Sequence, residues 1–202
     1  MRYQFLVDTY ETEILKVVSV WAMFEDRDLP KRPHDSDKRG RSFQEHMVHQ
    51  SVSEDFWFRT MLGIHVTDNP LPPKETRLDF IKCYVDNARR RHRIMSSKSE
   101  GWWEATVDFF EVKRSRAWIM TRRLTHTSHH RGQQMTLLRM LNRDLHSNYG
   151  PTADTGGLMQ NHAPVIYAYP DLRTLIQEEL ADGRKSRLPG PGATPPTERP
   201  DR

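Results

Sequence analysis

The chain has little cysteine, no long apolar run and no strong excess of either charge, and each shortage removes a class of protein. Cys83 is the single cysteine in 202 residues, so no internal disulfide can form, which fits a reducing cytoplasm. It sits in LDFIKCYVDNARR, where filler of a core or interface is the reading preferred over a nucleophile. No apolar stretch approaches the ~20 residues that span a bilayer. The opening MRYQFLVDTYETEILKV has early acids and no small-residue cleavage site, so neither a membrane protein nor a signal peptide is expected. The net charge of +4 permits nucleic-acid binding without arguing for it. Basic clusters such as NARRRHR and EVKRSR are interleaved with acids, and no zinc-finger, basic-zipper or RNA-recognition pattern occurs. They read as solvated helix faces and loops, with nucleic acid not expected as a partner. No internal repeat is present.

What the chain does have is helical periodicity. Leu6, Tyr10, Ile14, Val17, Val18, Trp21 and Phe24 recur at three- and four-residue spacing and predict a helix over 5–25. A charged loop with two prolines follows. Ser42 with Glu45 three residues on forms a capping-box signature, predicting a second helix to about Leu62. A third is expected from about Lys74 to Ser97, with Leu78, Ile81, Val85 and Ala88 on one side, and a fourth from about Ser115 to Asn142. Between them EGWWEATVDFFEVK, rich in aromatic and β-branched residues, reads as a short strand pair or an aromatic plug. Within it, Trp102 and Trp103 read as a plug of the bundle in preference to a pocket mouth. The long irregular stretch after Asn142 is expected to pack on the body or serve a site. A short helix then closes at Gly183, a C-cap candidate. The expected fold is all-α, an up-down four-helix bundle over 1–183, with a disordered Pro/Gly-rich tail over 184–202.

The chemistry-bearing stretch is LTHTSHHRGQQMTLLRML. His126 and His130 are four residues apart and share a helix face one turn from each other, a spacing that lets two imidazoles hold one divalent ion. His129 lies about 100° round from His130 and is left for a supporting or substrate-facing role. A third ligand must come from elsewhere. HMVHQSVSEDFWF in the second helix offers His46 and His49, about 60° apart on the wheel. His49 shares a stripe with Val52 and Phe56 and is preferred; His46 remains the alternative.

These residues also carry a family resemblance. THTSHHRGQQMTLLRMLN, in its H-x-x-x-H-R-G-Q form, HMVHQSVSEDFWFRTMLG and NYGPTADTGGL together resemble the DinB-like (DinB/YfiT) superfamily over roughly residues 5 to 180. The resemblance implies a four-helix bundle holding a divalent ion through His49, His126 and His130. It also implies thiol-dependent transferase or isomerase chemistry with a low-molecular-weight thiol such as mycothiol, bacillithiol or glutathione, and a homodimer. Imidazole suits zinc, nickel, iron and copper; zinc or nickel is the expected ion, with iron or manganese next. Three histidines leave a coordination position open, the mark of a catalytic site, so metal-assisted hydrolysis is the companion expectation. Arg131 and His129 are the candidate catalytic residues. Arg131 reads as orienting an anionic substrate or pairing with a carboxylate, or else as a helix-surface ion pair. Gly132 reads as a close-approach position, and Gln133 as an anchor for a ligand imidazole or a loop carbonyl. The opposing reading is a non-enzymatic, stress-related bundle that binds metal or a partner and dimerises.

Overall fold

A computed structural model of the chain describes residues 2–181, 183–193 and 195–197. Four long helices, α1 (Gln4–Met23), α2 (Phe43–Thr60), α3 (Arg77–Ser96) and α5 (Arg116–Met140), are accompanied by short α4 (Glu100–Glu104) and α6 (Leu172–Leu180). α1 packs on α3 and α5, and α2 closes the circuit by packing on the same two helices. The all-α class expected from periodicity is the class observed. Among the described residues no helix is long and apolar enough to cross a membrane.

α2, α3 and α5 each begin where a side chain can take up a free N–H, whereas α1 starts without a side-chain cap. Ser42 Oγ accepts from the Glu45 amide at 3.2 Å while Glu45 Oε2 accepts from the Ser42 amide at 2.8 Å, the reciprocal box expected. Ser115 caps α5 by accepting from the Trp118 amide at 3.2 Å. α3 starts later than Lys74 because Thr76 stays extended as its cap, its Oγ1 accepting from the Asp79 amide at 3.2 Å. α6 is capped at its end by Ala181, not Gly183, whose N–H instead reaches back to the Glu178 carbonyl at 2.6 Å.

The α1 stripe is fully realised, with every residue named for it buried. Beyond α1, Phe24 stacks on Phe43 with ring centroids 3.6 Å apart. On α3, Ile81, Val85 and Ala88 are buried, with Leu78 at the margin. The core face of α2 is unusual because it is largely polar. His46, Gln50, Ser51, Glu54 and Asp55 are buried there, while Val52 and Phe56 stay 42 % and 41 % exposed. Glu54 makes that burial tolerable: it accepts from Tyr10 Oη at 2.6 Å, Tyr84 Oη at 2.9 Å, Arg91 at 3.2 Å and Arg123 at 3.5 Å.

The aromatic insert satisfies both readings offered for it. Strand β1 (Thr106–Phe109) pairs antiparallel with β2 (Val112–Ser115), Phe109 opposite Val112, and Phe110 takes φ 53° in the two-residue turn. Ahead of it Trp103 is fully buried, 6.1 Å from the Tyr3 ring, and plugs that end of the helices. The irregular stretch after α5 packs on the body: Asn148 donates to the Lys16 carbonyl at 3.0 Å, and Leu145 and Tyr169 are buried. Of the expected tail, residues 194 and 198–202 lie outside the described residues. The described part carries no helix or strand. Ser186 there donates to the Ala168 carbonyl at 3.2 Å and accepts from His146 at 2.6 Å.

Candidate metal centre

α5 presents His126 and His130 one turn apart, and α2 brings His49 to meet them. His130 Nε2 lies 3.0 Å from His49 Nε2 and 3.1 Å from His126 Nε2, and one ring nitrogen from each of the three lies within 4.8 Å of the others. Zn–N bonds of about 2.0–2.1 Å in a tetrahedral arrangement would separate such nitrogens by roughly 3.3 Å. The two short separations are within a few tenths of an ångström of that value, so modest ring movements would match the set to one ion.

Neighbouring side chains decide which nitrogen of each ring is protonated. Gln133 Oε1 stands 3.0 Å from His130 Nδ1, so Nδ1 carries the hydrogen and the Nε2 lone pair points into the cluster. Arg123 Nη1 lies 3.1 Å from His126 Nδ1. A guanidinium only donates, so that nitrogen accepts and the His126 hydrogen sits on Nε2, directed at His130. The cluster thus closes on the His130 lone pair, and ligation through His126 requires its Nε2 proton to leave. Trp57 stacks on the His126 ring at 5.7 Å with planes 6° apart, and Phe109 of the hairpin meets Trp57 edge-on at 5.2 Å.

Burial is the main force keeping these rings neutral. It pushes His49 down to about 4, helped by Arg41 and Arg123, and His126 down to about 4, helped by Arg123. His130 is pushed down to about 3 by burial and its histidine neighbours, against the opposing bond to Gln133. All three are neutral at pH 7, as ligation needs; His130 already presents its Nε2 lone pair, while His126 must first give up its Nε2 proton.

The other candidates fall elsewhere. His46 is buried, its ring centroid 5.6 Å from that of His130, and it does not join the cluster. His129 is exposed and lines the pocket above the three rings, together with Arg41 and Arg122. Arg131 does not face this pocket and is not on the surface; it pairs with a carboxylate, as one reading had it, fully buried and donating to Glu13, to Tyr149 Oη and to Ser128 Oγ. One residue beyond His130 is about 100° round the helix, which turns Arg131 toward α1. The close-approach reading of Gly132 is also corrected, because a Cβ there would meet nothing within 4 Å. Gln133 does touch a candidate ligand imidazole. Cys83 is a half-buried free thiol whose pKa burial raises, the opposite of an activated nucleophile. Arg41, Trp57, Arg122 and Arg123 were not singled out from sequence. Arg123 is three residues from His126 and so was findable as a same-face neighbour; the others depend on how α2 and α5 meet.

No family model matches the chain, and no curated protein matches it. Solved structures do. A DinB-like protein from Bacillus cereus superposes with a TM-score of 0.61 at 14 % identity, covering 71 % of this chain and 95 % of that one. The DinB-like protein YjoA from Bacillus subtilis gives 0.54 at 11 % identity, covering 69 % and 94 %. At such identities the likeness is one of fold.

Proposed function

We propose that this chain, which has the DinB-like fold, holds a divalent cation through Nε2 of His49, His126 and His130 and uses it in small-molecule chemistry. The convergence of those three nitrogens within 4.8 Å carries the reading. Neutral rings, a lone pair on His130 oriented by Gln133, and an approach from the pocket side all suit a ligand set with a position left open. Zinc or nickel is the ion we assign first. Such a cation supplies Lewis acidity, which at neutral pH turns a thiol or a water into a nucleophile. Thiol transfer or isomerisation, with hydrolysis as the companion class, is therefore the activity proposed. The chain's own part is to hold the rings through Gln133 and Arg123, to shield one side with Trp57, and to admit substrate past His129.

Elemental analysis of the purified protein beside His49→Ala, His126→Ala and His130→Ala tests this. One ion per chain in the parent, lost in each variant with the melting temperature little changed, is the expected result. A parent without metal after growth in zinc- and nickel-supplemented medium, or variants that keep it, would overturn the reading. Thiol consumption that vanishes with the metal is the activity readout.

A further inference from the structure

The pocket above the three histidines, about 420 Å³, is lined by His49, His126, His129, His130, Arg41 and Arg122, with no carboxylate among them. Arg122 makes only a 3.4 Å contact with the Thr125 hydroxyl, and among the described residues Arg41 has no hydrogen-bond or ion-pair partner. Most other arginines near the core are spoken for: Arg91 and Arg123 on Glu54, Arg131 on Glu13, Arg143 on Asp28. The two at the pocket mouth are the exception. A divalent cation on three neutral imidazoles would leave its full charge uncompensated beside two more positive charges. Even without an ion the mouth is cationic, and its field adds to burial in holding His49 and His126 neutral.

His49 is shared by a second cavity. A groove of about 710 Å³ that includes His49 runs along α2 over Val48, Val52 and Phe56. Acids of that groove are occupied, Glu45 with Arg32 at 2.6 Å and Glu75 with Gln44 at 2.5 Å. His49 thus lies in the wall of both a cationic pocket and a largely apolar trough. Val52 and Phe56 are exposed there although α2 has a polar core face, so their apolar surface is not accounted for by packing within the chain.

We infer that the substrate taken by this site is a small organic anion with an apolar body, its carboxylate or phosphate held by Arg41 and Arg122 and its apolar part laid over Val48, Val52 and Phe56. The planar fork of a guanidinium takes either head group through paired N–H donors. The inference rests on the three histidines being the reacting centre, but its test does not need the ion.

Binding of phenylacetate, phenyl phosphate, acetate and neutral phenylacetamide is measured by calorimetry on metal-loaded and on chelator-treated protein. The parent is compared with Arg41→Gln, Arg122→Gln and Phe56→Ser. Both anions, or one of them, should bind at least tenfold tighter than the amide in both forms, and the tighter one names the head group. Each arginine variant should lose about tenfold for anions with its metal content unchanged. Phe56→Ser should weaken phenylacetate and leave acetate as it was. Equal binding of amide and anions, or arginine variants that bind anions like the parent, overturns the inference while leaving the metal reading intact. A parent that holds no metal but selects anions through Arg41 overturns the metal reading alone.

Discussion

Gln133 Oε1 and His130 Nδ1 lie 3.0 Å apart, three residues along α5, and that contact fixes which nitrogen of His130 faces the other two histidines. Gln133 is exposed, so removing it should disturb little else. Gln133→Leu is expected to weaken zinc or nickel binding about 10- to 100-fold, with thermal stability within about 0.5 kcal/mol of the parent. Competition with a chromogenic chelator reads the affinity; unchanged affinity would show that the ring is held by other contacts.

Arg131 gives the opposite pattern. It is buried against Glu13 and Tyr149, away from the pocket. Arg131→Ala leaves Glu13 with Lys16 at 3.2 Å as its remaining cation and should cost about 3 kcal/mol of stability, with metal content unchanged. Urea unfolding beside elemental analysis separates the two effects. Loss of the ion at unchanged stability would return Arg131 to the site.

The pH dependence follows from the buried rings. His46, His49 and His126 are held at about 4 and His130 at about 3, all below the ordinary 6.5. Between those values the unfolded chain binds more protons than the folded one, so stability rises with pH through that window and is level above it. Urea midpoints of chelator-treated protein should be flat from pH 8 to about 6.5 and fall below that, by roughly 1 kcal/mol or more per histidine near pH 4. Because protons compete with metal for the same nitrogens, occupancy should hold down to about pH 5. Loss of metal near pH 6.5 would mean the rings titrate as exposed histidines.

Glu54 couples the core to the centre. It is 1 % exposed and holds Arg123, which in turn donates to His126. Glu54→Ala strands buried guanidinium groups and should destabilise by about 3 to 5 kcal/mol. Glu54→Gln keeps one acceptor oxygen, for Tyr10 or for Tyr84 but not for both, and should cost less than Glu54→Ala, with the metal affinity shifted in both. A Glu54→Ala protein as stable as the parent would show that water reaches this network.

Much of the fold was legible because its signals are local. The α1 stripe, the Ser42–Glu45 box and the one-turn spacing of His126 and His130 each depend on residues within a few positions of one another. α2 was harder to read. His49 was preferred for sharing a stripe with Val52 and Phe56, yet those two face solvent and the core face carries Glu54 and Gln50. His49 does meet the α5 pair, but from the flank of its helix rather than from an apolar core stripe. On a helix whose buried face is polar, hydrophobicity points the wrong way.

From sequence alone came the places where helices begin, the residues each would bury in the case of α1 and α3, and two imidazoles on one turn of α5. Whether a third imidazole would join them, and that Arg131 would turn inward onto Glu13 while Arg41 and Arg122 stayed at a shared mouth, were decided only by how α1 and α2 meet α5. Those relations join residues such as His49 and His130, 81 positions apart, and depend on the azimuth at which two helices pack, a quantity that no local pattern encodes.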